Sequence, residues 1–163
     1  PASLSRLSGL YVLELSQNVL SGSVADDVDA FANWTFAEQP YLHSNRLSGS
    51  LPRFIASMAA LTLQLQRNKF RGGIGGLFGA VNGSQHSLDL VQLSSNELTG
   101  TLPAAAFTQL PALTVFAAGT NCLSGPLPEQ LFSSASLETL LLDGLHSMGR
   151  RVARCSSTRL PVW

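Results

Sequence analysis

The 163-residue chain carries ten basic and ten acidic residues, so its net charge is zero, and 45% of its residues are hydrophobic. This balance favours neither nucleic acid nor an anionic membrane surface as a partner, because both require a basic face. No apolar run reaches the roughly 18 residues that a membrane helix needs. The length suits one domain or about six small repeats. We expect a piece of a larger or processed chain, because there is no start Met and no signal peptide.

A short motif, Asn-x-Leu-Ser/Thr-Gly, recurs along the chain. Four copies begin at Asn18, Asn45, Asn96 and Asn121, and a looser copy begins at Asn68. The successive Asn-to-Asn spacings are 27, 23, 28 and 25 residues. A period of this size indicates a solenoid, in which each unit buries its apolar residues only against its neighbours.

Apolar residues lie eight, five and three positions before each of these Asn residues. In chain order the triplets are Leu10, Leu13 and Leu15; Ala37, Pro40 and Leu42; Ala60, Leu63 and Leu65; Leu88, Val91 and Leu93; Leu113, Phe116 and Ala118; and Leu137, Leu140 and Leu142. The two nearer positions alternate with polar residues, which predicts one short strand per repeat. Parallel stacking at about 4.8 Å would join the strands into one sheet. The sixth triplet leads to Leu145 where an Asn is expected, so we expect the repeats to end there.

The repeated Asn residues are predicted to form a ladder: Asn18, Asn45, Asn68, Asn96 and Asn121. Each should turn the chain out of its strand, stay buried, and satisfy backbone groups of its own and the neighbouring coil. A Gly four residues later permits a backbone bend that is closed to other residues. A Pro seven residues later suits the start of a short helical turn. Further apolar residues, among them Ile55, Leu131 and Phe132, are expected to fill the convex side.

These residues resemble the plant-type class of leucine-rich repeats, whose unit reads LxxLxLxxNxLSGxLPxx with a period of about 24 residues. The resemblance covers roughly Leu4 to Leu145. It implies a β-dominated member of the α/β horseshoe class: a right-handed solenoid with a parallel concave β-sheet and short 3-10 or helical turns and loops on the convex side. It also implies a non-enzymatic module that recognises a protein, a peptide or a glycan, and that lies at the cell surface or outside the cell.

The repeats are predicted to span residues 1–145, with the last one degenerate, and residues 146–163 to form a basic tail or a C-terminal cap. Cys122 lies in the last regular repeat and Cys155 in the tail. They are either one disulfide bridge or two half-buried thiols. Sequons at Asn33 and Asn82 lie in the two longest repeats, and we expect at least one to be glycosylated.

The outward-facing strand positions are the candidate binding surface. The richest cluster is predicted to combine Tyr41, His43, Gln64, Arg67 and Gln92. Tyr and Arg are typical interface anchors, and neutral amides suit a peptide backbone or sugar hydroxyls. The other reading is a solvated face in a protein that binds elsewhere.

No spacing of His, Cys or carboxylates indicates catalysis or a metal site. We therefore expect no enzyme activity, no cofactor and no metal. The alternative function is a structural subunit of a larger extracellular or membrane-associated assembly, and the alternative location is intracellular.

Overall fold

The computed structural model describes residues 7, 10–24, 39–52, 55, 60–78, 87–144 and 155. The predictions for Asn33, Asn82, Leu145 and most of the tail lie outside these residues. We number the coils one to five by their ladder residues, Asn18 to Asn121, and the strand after them belongs to coil six. Within the described ranges, no helix is long and apolar enough to cross a membrane.

Six strands form one parallel sheet with one strand per coil. They are Val12–Glu14 (β1), Gln39–Tyr41 (β3), Thr62–Gln64 (β5), Leu90–Gln92 (β7), Val115–Ala117 (β9) and Thr139–Leu141 (β11). Each strand occupies the predicted place just before the ladder position, and its central residue faces the interior. The predicted leucine-rich repeat solenoid is thereby confirmed, and its sheet continues for one strand beyond the last ladder Asn.

A second parallel sheet follows the ladder positions. Its strands are Ser21–Ser23 (β2), Arg46–Ser50 (β4), Lys69–Gly72 (β6), Glu97–Gly100 (β8) and Cys122–Leu123 (β10). This second sheet was not predicted from the sequence. The Asn-x-Leu-Ser/Thr-Gly segment alternates outward and inward residues, as a strand does. Its backbone groups find partners in adjacent coils: Arg46 N–H donates to the Leu20 carbonyl oxygen at 2.8 Å, and Ser124 N–H to that of Gly100 at 2.8 Å.

Two left-handed backbone positions recur in every regular coil. The residue before each ladder Asn has a positive φ: Gln17, Ser44, Arg67, Ser95 and Thr120, at 53–59°. The Gly four residues after it does too: Gly22, Gly49, Gly72, Gly100 and Gly125, at 80–92°. The second position agrees with the bend predicted for Gly. The first was not predicted, because no single residue type marks it. The first position precedes each second-sheet strand, and the Gly lies within or at the end of β2, β4, β6 and β8.

The core lies between the sheets and the convex turns. The turns include a helix at Ala105–Thr108 (α1) and 3-10 helices at Gly75–Leu77 and Glu129–Ser133. Phe116 is fully buried, and its ring centroid lies 5.3 Å from that of Phe107 and 6.4 Å from that of Phe78. Ile55 and Leu131 are buried as expected, but Phe132 is 75% exposed. The prediction for Phe132 was wrong because the 3-10 helix directs Leu131, not its neighbour, into the core.

Candidate functional site

Each interior ladder Asn makes the same three kinds of hydrogen bond. Asn96 Nδ2 donates at 3.0 Å to the carbonyl oxygen of Leu93 in its own coil and to that of Leu65 in the preceding coil. Its Oδ1 accepts the Phe70 N–H at 3.1 Å. Asn45, Asn68 and Asn121 form the same three hydrogen bonds with the equivalent backbone groups of their own and the preceding coil. The ladder holds the adjacent coils at one spacing, and so it sets the geometry of the concave surface.

The expectation that every ladder Asn is buried was wrong for the first two coils. Asn68, Asn96 and Asn121 are 8%, 2% and 0% exposed, whereas Asn45 is half-buried and Asn18 is exposed. Asn18 Nδ2 donates to the carbonyl oxygens of Leu15 and Ser16, both in its own coil. The physical reason is that no earlier coil covers Asn18 in the described part of the chain.

Pro40 loosens the sheet between coils two and three. Strand β3 pairs with β1 over three residue pairs but with β5 only through Tyr41 and Gln64. The Leu42 N–H donates to the Gln64 carbonyl oxygen of β5 at 3.2 Å. Alternate residues of a strand direct their N–H groups toward the same neighbour. Pro40, two residues earlier, would therefore face β5 with an N–H that proline lacks. The irregular second repeat thus changes the strand pairing beneath the concave surface.

An open groove of about 770 Å³ runs along the concave side at the ends of the first-sheet strands. It crosses coils one to four, and its lining is made of amides, hydroxyls, an imidazole and one guanidinium. The lining residues include His43, Ser44, Gln66, Arg67, Gln92 and Ser94. Most of them come from the positions one and two before the ladder Asn. Because adjacent strands lie about 4.8 Å apart, the groove presents a row of polar groups at short, regular intervals.

Only three of the five predicted binding residues line the groove. His43, Arg67 and Gln92 line the groove. Tyr41 and Gln64 are paired neighbours on adjacent strands, as expected, but they lie outside the groove lining. The Tyr41 hydroxyl donates to Gln39 Oε1 at 3.0 Å, on its own strand. The Tyr41 hydroxyl is therefore already engaged, and the polar contacts of the groove come from the row nearer the ladder.

Gln66 was not singled out from the sequence, yet it lies in the middle of the groove lining. Its Nε2 donates to Gln64 Oε1 at 3.5 Å. Its Oε1 is shielded from water and has no hydrogen-bond partner in the described structure. An unpaired buried acceptor is destabilising. The signal that would have found Gln66 is its position two before a ladder Asn, in the same row as His43.

Glu14 places an acidic side chain at the N-terminal end of the concave surface. The Ser16 hydroxyl and the Ser16 backbone N–H, which donates at 2.9 Å, lower the pKa of Glu14 below its ordinary value. The charge of His43 adds a smaller effect in the same direction. His43 Nδ1 lies 3.2 Å from the Ser44 hydroxyl. The carboxylate form of Glu14 is thereby favoured beside the row of neutral groups.

The groove ends before coil five. Ala117 and Gly119 occupy positions that were predicted to face outward, but both are buried. A Cβ added to Gly119 would collide with the Asp143 side chain and lie 2.8 Å from the Asp143 carbonyl oxygen. The Thr120 N–H also donates to that oxygen, at 2.6 Å. Coil six therefore covers the small residues of coil five, and no residue of coil five lines the groove.

Cys122 and Cys155 form a disulfide with a Cα–Cα distance of 5.4 Å. Of the two arrangements left open by the sequence, the structure has the bridge. It ties Cys155 to β10, the edge strand of the second sheet. Among the residues with described coordinates, no group of three or more His, Cys, Asp or Glu side chains could hold a metal ion. That the chain has no cofactor stays a prediction.

No protein-family model matches the chain. Receptor-like protein 53 of Arabidopsis thaliana is 33% identical over 145 residues, which cover 86% of this chain. The chain spans only 14% of that relative's length.

Two solved structures from Arabidopsis thaliana are similar to the chain. One is the leucine-rich repeat ectodomain of the receptor kinase GASSHO1/SCHENGEN3 in complex with CASPARIAN STRIP INTEGRITY FACTOR 2. It is 31% identical with a TM-score of 0.77, over 88% of this chain and 17% of that one. The other is the ectodomain of the receptor kinase HAESA in complex with an N-terminally extended IDA peptide hormone. It is 26% identical with a TM-score of 0.74, over 88% of this chain and 23% of that one.

Proposed function

Because this chain is a stretch of plant-type leucine-rich repeats, we propose that it is a non-enzymatic recognition module whose concave groove binds an extended peptide segment of a partner. The observation that carries this proposal is the open polar groove of about 770 Å³ across coils one to four. The similar HAESA ectodomain holds a peptide hormone, which supports the same class of ligand.

The chemistry of the lining suits a peptide backbone. An extended peptide offers N–H donors and carbonyl acceptors along its length. The side-chain amides of Gln66 and Gln92 can both donate and accept, and His43 can do either according to its tautomer. A ligand donor that reached Gln66 Oε1 would satisfy a group that is unpaired without it. Arg67, on the rim, is the one full positive charge in the lining.

We place this module outside the cell or at its surface. Disulfides persist in oxidising compartments and are rare in the cytosol, and the Cys122–Cys155 bridge supports such a location. Glycosylation at Asn33 or Asn82 would agree with it and stays a prediction. The intact mass of native material before and after glycosidase treatment tests it, and an unchanged mass would contradict it.

The test of the groove uses two lining residues and a matched control. Linear peptides are selected from a random display library on the immobilised chain, and their dissociation constants are measured for the unchanged chain and two variants. His43→Ala with Gln92→Ala removes two groups that can hydrogen-bond the ligand, and we expect binding to weaken by about tenfold or more. Thr99→Ala, on the outer face of the second sheet, should leave binding unchanged.

Two results would contradict the peptide groove. One is a selection that recovers no peptide with saturable binding. The other is equal affinity for the double variant and the unchanged chain, provided that both unfold at the same urea concentration. A glycan array in the same assay covers the other ligand class, since amides and hydroxyls also suit sugars. Selective glycan binding would reassign the ligand and leave the groove in place.

A structural subunit is the second candidate, and the first coil favours it. Val19 is 71% exposed and Leu20 is 41% exposed, and Tyr11 and Val12 of the same coil are also exposed. Exposed apolar residues grouped at one end of a solenoid indicate a surface that is covered in an assembly. Light scattering of the same preparations separates the candidates, because a monomer at high concentration would argue against the structural subunit.

A further inference from the structure

The charges of the described residues are separated along the solenoid axis, although the whole chain is neutral. Every described basic residue lies between residues 46 and 71, in coils two and three. These are Arg46, Arg67, Lys69 and Arg71, which we call the cationic ridge. Of the six described acidic residues, five lie from residue 89 onward: Asp89, Glu97, Glu129, Glu138 and Asp143. Among the described residues, positive charge is therefore concentrated in coils two and three.

The side chains of the cationic ridge point outward on one side of the molecule. Lys69 and Arg71 alternate with the buried Phe70 on β6, so both side chains stand on the outer face of the second sheet. Arg46 is exposed at the start of the neighbouring strand β4. Arg67 is exposed at the corner before β6, where its φ is 58°. The ridge therefore extends from the rim of the groove onto the second sheet.

One member of the ridge is already paired. Arg71 Nε lies 2.5 Å from Glu97 Oε2, and the Arg71 side chain is 68% exposed. For Arg46, Arg67 and Lys69, no carboxylate of the described residues comes within ion-pair distance. Exposed like charges that lack counterions repel one another, and a carboxylate partner would relieve this. Within the chain, Glu97 supplies such a carboxylate to Arg71.

We propose that the cationic ridge binds an acidic, extended segment of a partner protein, with carboxylates at alternate positions. Lys69 and Arg71 project about 7 Å apart along β6, which is the spacing of alternate side chains in an extended strand. Guanidinium groups pair with carboxylates through two parallel hydrogen bonds. Apart from Arg67, which also lines the groove, this surface lies outside the concave groove, and it adds a second contact to the proposed function.

The probe is a fluorescein-labelled peptide of six Glu-Ser repeats, titrated with the full chain at about 0.15 M salt, where remote charges are screened, and followed by fluorescence anisotropy. Lys69→Gln with Arg46→Gln removes two charges of the ridge, and we expect affinity to fall by about tenfold. Arg150→Gln with Arg151→Gln removes the same charge from the tail and should change it by less than about twofold. Glu97→Gln frees Arg71, so affinity should rise by about threefold.

Several outcomes would overturn the proposal. They are the absence of saturable binding, an equal loss in the two double variants, and weaker binding after Glu97→Gln. Equal losses would mean that net charge alone attracts the peptide.

Polygalacturonate is titrated in parallel, and binding to this polymer without binding to the peptide would reject a protein partner. Urea unfolding midpoints confirm that each variant folds. His43 and Gln92 are unchanged throughout, so failure here is distinguishable from failure of the groove.

Discussion

Coil four and coil one carry the same repeat unit but bury it to different extents. Two residues after the ladder Asn, Leu98 of coil four is fully buried, whereas Leu20 of coil one is 41% exposed. The ladder residues differ in the same way: Asn96 is 2% exposed and bonds the preceding coil, while Asn18 is exposed. The repeat therefore specifies the shape of a coil, but its contribution to stability depends on neighbours on both sides.

The largest expected effect tests this difference in the apolar core. Leu98→Ala leaves a cavity between coils and should lower the free energy of unfolding by about 2–5 kcal/mol. Leu20→Ala, at the same place in coil one, should lower it by about 1 kcal/mol or less, because much of that side chain already meets water. Urea unfolding followed by circular dichroism measures both. Equal losses would mean that the first coil is packed like an interior one.

The next largest effect is expected at the ladder Asn residues of coils four and one. Asn96→Ala leaves the backbone groups of Leu65, Leu93 and Phe70 without a side-chain partner, and we expect a loss of about 1–3 kcal/mol. Asn18→Ala should change stability by less than about 0.5 kcal/mol, because its side chain is exposed. The same unfolding measurement applies. A large loss at Asn18 would show that an earlier segment covers it and bonds its amide.

The smallest difference within a pair of variants is expected at the glycine bends of coils one and three. Gly22 and Gly72 have φ values of 92° and 80°, and a Cβ built on either meets nothing within 4 Å. Gly22→Ala and Gly72→Ala should each cost about 1 kcal/mol, from backbone strain alone. Gly125→Ala is the contrast, since its Cβ would lie 2.8 Å from Thr101 Cγ2. Unequal losses at Gly22 and Gly72 would show that this strain also depends on neighbouring coils.

The first sheet was predictable because its signal is local. In coils one to five an apolar triplet lies at a fixed spacing before an Asn, so even β3, with Pro40 at its centre, was placed correctly. The second sheet was not predicted, because its strands are only two to five residues long and their hydrogen bonds join residues of adjacent coils. Its segments also contain the Gly that a sequence reading assigns to a turn.

The candidate groove was predictable only in part. His43, Arg67 and Gln92 were identified from their place in the repeat, and Gln66 follows from the same rule. The engagement of Tyr41 by Gln39 was not predictable, because it depends on side-chain direction. The end of the groove at Gly119 depends on Asp143, which lies one coil away. A contact of that kind follows from how the coils stack and not from the spacing of residues within one coil.

By itself, the sequence determined the period of the coil, the six first-sheet strands and the glycine bends, because each depends on a few consecutive residues and recurs. Only the tertiary structure decided which Asn residues are buried, where the groove ends, that Cys155 meets Cys122, and that Arg71 pairs with Glu97 while Lys69 does not. Each of these depends on atoms at least 20 residues apart that meet only when the coils stack.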